Sequence, residues 1–243
     1  MNKLLLLGLT SCFALTLSAQ TTIVSSVSDL TFSYSGGASE ASSGAGTLAI
    51  ETSKNSSATA NLPSTYQLAV GETMSITLSL ELDNLMADTG SSFDIAFADG
   101  AEYYQVRLNP VTTTNGITFS EDGDSNLGKF ATDATLGTVT NTMTFTLERT
   151  GTDEMSLSFS SPTLSSTTRT ATNDVSPIST SFGQIMFDFS GNGWNEDFGG
   201  STIVANLSNL SIETTGTVIP EPSTYAMILG AAVLTLGVMR RRS

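Results

Sequence analysis

The chain has 243 residues, of which 23 are acidic, 9 are basic and none is histidine, for a formal net charge of −14. Between Gln20 and Ile219 only five cations remain, and cations so few and so dispersed exclude nucleic acid as a partner, because phosphate binding needs a concentrated basic patch. Lack of histidine removes the usual general base near neutral pH and the commonest metal ligand, and the single cysteine, Cys12, rules out an internal disulfide.

Met1-Asn2-Lys3 is a short basic start. Leu4 to Leu9 begins an apolar run that resumes at Phe13 to Leu17, and Ser18-Ala19-Gln20 supplies small residues for cleavage. This is the layout of a secretory signal peptide over residues 1–19, handled by the Sec translocon and signal peptidase, with the mature chain starting near Gln20. Leu17 is bulky for the position three before the cut. Leu9-Thr10-Ser11-Cys12 also fits a lipoprotein box that would lipidate Cys12, but the apolar core runs on for five residues past that cysteine. Either route takes the chain out of the cytoplasm.

From Gln20 to Ile219 the basic residues are Lys54, Arg107, Lys129, Arg149 and Arg169, against twenty-two acidic ones, a net charge near −17. Such a field favours solubility and repels polyanions. Residues 20–213 suffice for one domain that buries about 70% of its unfolded surface. The Gly/Ser/Ala-rich segment from Ser35 to Gly46 is expected to be a flexible loop. After it, Met74, Ile76, Leu78, Leu80 and Leu82 alternate with Ser75, Thr77, Ser79 and Glu81, which predicts a strand with one apolar and one wet face. The same period recurs at Phe93 to Phe97, Tyr104 to Leu108, Met143 to Leu147, Met155 to Phe159, Ile185 to Phe189 and Leu210 to Ile212. Turn signals punctuate the series at Asp99-Gly100, Asn115-Gly116, Asp122-Gly123 and Gly191-Asn192-Gly193, and Thr150 to Asp153 predicts a hairpin over Met143 to Phe159. Thr163 to Ser176, rich in Ser and Thr, reads as a surface excursion, and 214–219 as a linker.

Many amphipathic strands with no helical period predict an all-β chain, built as an antiparallel two-sheet β-sandwich. Adjacent Tyr103 and Tyr104 then point to opposite faces, one into the core and one outward.

Two loops carry candidate binding residues. Asp122, Asp124 and Asn126 present oxygens at alternate positions, with Asp133 where a closing carboxylate would stand, the arrangement of a Ca2+ loop. Leu127 occupies the place of the expected glycine, and a plain acidic turn accounts for the same residues. The second loop holds the only tryptophan, Trp194, beside Asn195 and Asp197, a ring to stack on a sugar and groups to bond its hydroxyls; a side chain capping one end of the sandwich accounts for it too. No other cofactor is implied. No serine has an activating partner or elbow motif, and Asp153 and Glu154, after Glu148, solvate a turn, so the chain is expected not to be an enzyme.

The C-terminus is of a different kind. Pro220-Glu221-Pro222 precedes an uncharged run, and Arg240, Arg241 and Arg242 lie just before the end. The fifteen residues from Tyr225 to Met239 make roughly 22 Å of helix, which reaches the low end for a spanning helix when Ser223 and Thr224 are included. Three arginines oppose being drawn across the bilayer at about 2.5 to 3.5 kcal/mol each. Residues 220–243, with a transmembrane helix over 224–239, resemble the PEP-CTERM sorting signal of Gram-negative bacteria. The resemblance covers about a tenth of the chain and implies an exosortase as partner, transient anchoring in the inner membrane, and delivery to the cell surface or extracellular matrix. From Ala45 to Glu213 the strand order resembles the concanavalin-A-like jelly roll of exported polysaccharide-binding modules. That implies exopolysaccharide as a further partner, with a jelly-roll carbohydrate-active hydrolase as the alternative. The Glu-x-Asp-x-x-Glu strand of the laminarinase-like branch is missing.

Overall fold

The computed structural model describes residues 19–83, 92–100, 102–109, 116–121, 124–131, 140–162, 165–173, 179–190 and 202–219. Their strands form two eight-stranded antiparallel sheets. Sheet A runs in the order β13 (Ser165–Asn173), β12 (Glu154–Ser161), β11 (Asn141–Gly151), β6 (Thr73–Asp83), β15 (Ile203–Thr214), β4 (Thr47–Thr52) and β3 (Ser39–Gly44), with β1 (Thr21–Val24) also paired to β15. Sheet B runs β10 (Asp124–Ala131), β9 (Gly116–Glu121), β8 (Glu102–Asn109), β7 (Ser92–Asp99), β14 (Ser181–Ser190), β5 (Ser56–Gln67) and β16 (Thr217–Val218), with β2 (Phe32–Ser35) also on β5. A 3-10 turn, Val27–Asp29, links β1 to β2 and is closed by a capping box between Ser26 and Asp29.

The alternation read from the sequence is what packs the sandwich. Met74, Ile76, Leu78, Leu80 and Leu82 on β6 are each at most 2% exposed and face the other sheet. Aromatic rings bridge the gap: Phe145 of sheet A lies 5.6 Å from Phe97 and 6.4 Å from Phe119 of sheet B, in stacked geometry. Within sheet B, Phe187 stacks between Phe93 and Phe32, both at 5.8 Å. Pairs of this kind add about 0.5–1.5 kcal/mol to the burial of the rings themselves. The hairpin forms as expected, β11 against β12, and the Arg149 guanidinium donates to the carbonyls of Gly151, Thr152 and Leu68, tying its turn to the end of β5.

Three segments differ from the sequence expectation. Ser39–Gly44, expected as loop, is the edge strand β3, exposed at every residue and held by its ladder to β4. Ser165–Asn173, expected as a surface excursion, is strand β13, paired to β12. Neither segment has apolar alternation, and each is a strand through its ladder to a neighbour. The segment 214–219, read as a linker, contains β16, whose Thr217 and Val218 pair with Gln67 and Tyr66 before the Ile219 amide donates to the Thr65 carbonyl. The transmembrane helix expected at 224–239, and all but the last residue of the signal peptide expected at 1–19, lie outside the described residues. Among the described residues no helix is long and apolar enough to cross a membrane.

One irregularity was invisible to a period of two. Leu207 and Leu210 are three apart on β15 yet both are buried, at 1% and 0% exposure. A bulge between Ser208 and Ser211 inserts the extra residue, with Asn209 at φ 51° and its amide donating to the Ser79 hydroxyl at 3.3 Å. Asparagine tolerates this left-handed conformation and a β-branched residue does not. Replacing Asn209 by Val is therefore expected to cost about 1–3 kcal/mol in denaturant unfolding, whereas Asn209→Gly should stay within about 0.5 kcal/mol of the native chain. Equal losses for both would show that the bulge is not what is strained.

Candidate functional site

Sheet A has the expected division into an apolar inner and a polar outer face. Sheet B does not. On β7 the core-facing residues Phe93, Ile95 and Phe97 alternate with Ser92, Asp94, Ala96 and Ala98, and all seven are buried. Asp94 is 0% exposed on the side away from the core.

The ladders set its neighbours. Asp94 lies opposite Asp188 of β14 on one side and Arg107 of β8 on the other, and the same row continues to Ser57 on β5 and Thr118 on β9. The next row joins Thr59, Met186, Ala96, Gln105 and Ser120. A third joins Asn61, Gln184, Ala98 and Tyr103, with Gln184 donating to the Asn61 side-chain oxygen at 2.9 Å. Ala96 and Ala98 therefore set two small side chains, 1% and 3% exposed, between longer polar ones. Tyr104, whose ring meets Phe182 at 6.0 Å, is buried in the core, and half-buried Tyr103 is on the outer face, so the two tyrosines divide as the alternation required.

Charge is concentrated in the first row. Arg107 donates from Nε to both oxygens of Asp94 at 3.1 and 3.0 Å and from Nη2 to Oδ2 at 2.8 Å. Desolvation pushes the Asp94 carboxyl from 3.8 up to about 6, against the opposing pull of Arg107, while the charge of Asp188 pushes in the same upward direction. Burial also raises Asp188, opposed by the Ser190 hydroxyl, which donates to it at 2.7 Å, and by Arg107. At Arg107 burial works against the charge, but hydrogen bonds and attraction from Asp94, with Asp188 and Tyr103 beyond, hold its pKa above the usual value. The two ends of the ion pair differ because the Asp94 side chain is fully enclosed while the Arg107 side chain remains 33% exposed. In the second row the Ser120 hydroxyl is buried and has no hydrogen-bond partner, beside Gln105 at 4% exposure. Such a group is costly unless something bonds to it.

This arrangement offers acceptors, donors, an aromatic edge and small side chains on one surface, the chemistry that holds polyhydroxylated ligands. Sequence reasoning missed it. Asp94 and Arg107 sat on positions read as the wet face of their strands, and the available signal was Ala96 and Ala98, small apolar residues where other strands carry Ser or Thr. Of the residues singled out beforehand, Trp194, Asn195, Asp197, Asp122, Asp133, Pro220, Glu221, Pro222, Arg240, Arg241 and Arg242 lie outside the described residues. Asp124 and Asn126 are on strand β10, with Asp124 opposite Glu121. Among the described residues no group of three or more acidic or sulfur side chains is placed to hold a metal ion. In sequence the tryptophan segment directly follows β14, whose last residue, Ser190, pairs with Ser92 two residues along from the Asp188–Asp94 pair.

No family model matches the chain, and no curated protein matches it. Solved structures do. Arcelin-5, a lectin-like defense protein from Phaseolus vulgaris, superposes with a TM-score of 0.57 at 10% identity, over 82% of this chain and 99% of that one. A lectin from Bauhinia forficata in complex with GalNAc gives 0.53 at 13% identity over 82% and 99%. An endo-1,3-beta-glucanase from Streptomyces sioyaensis gives 0.53 at 12% identity over 80% and 96%. The fold is thus the lectin-like jelly roll, in agreement with the concanavalin-A-like reading of the strands.

The ion pair makes a signed prediction. Arg107→Met leaves a fully buried carboxylate unpaired and should cost about 3–5 kcal/mol at pH 7. Because the folded-state pKa of Asp94 is raised, its ionised form penalises the fold above pH 6, and that penalty is relieved as pH falls from about 6 towards 3.8. Relative to an Asp94→Asn variant, the native chain should therefore gain about 2–3 kcal/mol on moving from pH 7 to pH 4, and the Arg107→Met deficit should shrink over the same window. A deficit independent of pH would place the cost elsewhere.

Proposed function

We propose that this chain is an exported cell-envelope or extracellular-matrix protein that binds an uncharged polysaccharide on the outer face of sheet B without cleaving it. The observation that carries this reading is the polar pair Gln105 and Ser120, buried beside the small residues Ala96 and Ala98 on the outer face of sheet B, with half-buried Tyr103 on the next row. A sugar presents C–H faces and hydroxyl edges, and this face carries a ring for the first with an amide, a hydroxyl and charged groups for the second. A net charge near −17 over residues 20–219 argues against uronic, sulfated or phosphorylated chains.

Delivery is assigned to the two termini. Residues 1–19 direct export through the Sec translocon with removal by signal peptidase. Pro220-Glu221-Pro222, the apolar segment and Arg240 to Arg242 form the sorting signal that an exosortase processes at the inner membrane. The domain closes at Ile219, one residue before this motif.

The alternative is hydrolysis. One observation favours it: Asp94 and Asp188, distant in sequence, stand opposite each other on neighbouring strands, and glycosidases work with carboxylate pairs. Against it, Asp94 is closed off and engaged by three hydrogen bonds to Arg107, so it is not free to attack a sugar or to activate water. Binding without turnover accounts better for a carboxylate held in this way.

The full chain, applied to a glycan array that includes 1,3-β-glucan and N-acetylgalactosamine, is expected to retain neutral glycans and to release no reducing ends from them. Tyr103→Ala should weaken retention about tenfold, the loss of about 1.4 kcal/mol expected for one aromatic contact. Release of reducing ends would favour the hydrolase, and binding indifferent to Tyr103 would remove this face from consideration. In cells, the uncut chain should fractionate with membrane and lose that association when residues 220–243 are deleted; uncut cytosolic product would end the sorting assignment.

A further inference from the structure

At the β2 side of the sandwich the two sheets part and leave an open cleft of about 380 Å3. Its apolar wall is made by Leu30, Phe32 and Leu48, and its polar rim includes Glu40, Ser43 and Thr47 of the β3–β4 hairpin. The rim is fixed to the strip ahead of β2 by Ser28, whose hydroxyl donates to the Gly44 carbonyl at 3.1 Å and accepts from the Gly46 amide at 2.9 Å. Phe32 is fixed as well, stacked at 28° on Phe187 and on Tyr34. The Tyr34 hydroxyl reaches the Glu40 carboxylate at 3.5 Å and orients it along the rim. Three features therefore meet in one concavity: a rigid half-buried ring, an exposed carboxylate that accepts hydrogen bonds, and hydroxyls able to donate or accept.

We infer that this cleft is a second sugar site, taking one uncharged hexopyranose unit with its C–H face against Phe32 and Leu30 and its hydroxyls on Glu40 and Ser43. The inference rests on the reading of the chain as a binder of uncharged polysaccharide. A wholly apolar ligand would bring nothing for Glu40 to accept, and an anionic one would meet a carboxylate on an acidic domain. The volume is at the lower end for small-ligand pockets, which suits one ring rather than a run of them. The cleft opens at the lateral edge of the sandwich, whereas the site proposed above is on the outer face of sheet B. One chain thus engages two polysaccharide strands at once and cross-links them.

The test is a calorimetric titration of the full chain in mild detergent with three uncharged hexasaccharides: β-1,3-glucan, β-1,4-glucan and β-1,4-linked N-acetylglucosamine. For at least one of them the native chain is expected to take up two equivalents. Ser43→Trp fills the cleft from an exposed edge-strand position, and Glu40→Gln removes the charged acceptor. The first should reduce uptake to one equivalent, with the remaining affinity within about twofold of native, and the second should weaken that same equivalent about tenfold, the order expected for a charge-assisted hydrogen bond. Tyr103→Ala should weaken the other equivalent alone. A single native equivalent that responds to Tyr103→Ala and ignores Ser43→Trp overturns the cleft while leaving the sheet B reading intact. A single equivalent lost only with Ser43→Trp supports the cleft and removes the sheet B reading. No uptake of any of the three overturns both.

Discussion

A carboxylate fully removed from water has to be paired, and in this protein Asp94 is paired by Arg107 on the next strand. That requirement organises the outer face of sheet B. It ties β7 to β8 with three hydrogen bonds, sets Asp188 within electrostatic reach on β14, and so joins three strands into one charged row. Burying a pair of this kind gains little net stability. Its consequence here is a surface whose polar groups are held in place beside two alanines.

The two sheets differ for that reason. Sheet A turns serine and threonine outward, and these bond to one another across strands, as Thr77 does with Thr144 at 2.9 Å and Ser79 with Thr142 at 3.1 Å. Such a face satisfies itself. Sheet B leaves the Ser120 hydroxyl buried without a partner and keeps Gln105 buried beside it, an arrangement that an incoming hydroxylated ligand would complete. The lateral cleft at Phe32 and Glu40 repeats the pairing of ring and acceptor on a second surface.

Much of the sandwich was legible because burial on one side imposes a period of two. The strands at Met74 to Leu82, Tyr104 to Leu108 and Met143 to Phe159 carry that period openly. Strands β3 and β13 do not, since Ser39–Gly44 and Ser165–Asn173 are strands only through the neighbours they pair with, and no local property announces a neighbour. The bulge at Asn209 escaped for a similar reason: it shows only when Leu207 and Leu210 are both known to face inward. The polar outer face of sheet B was the least legible part. Asp94 and Asp188 are brought together by register across sheet B, and nothing within reach of either residue along the chain indicates the other. The residues singled out for binding came instead from local composition, the tryptophan loop and the acidic turn, and the described part of the domain offered a different surface.

The central claim is that the outer face of sheet B is where polysaccharide lies. Hydroxyl-radical footprinting of the full chain, with and without a retained neutral glycan, reads this face directly, because Tyr103 and Met186 are oxidisable side chains on adjacent rows of it. The account predicts that bound glycan slows oxidation of both residues while exposed Val70, on the turn between β5 and β6, is unchanged. Oxidation of Tyr103 and Met186 at the same rate in the presence of a glycan that is demonstrably bound would contradict it.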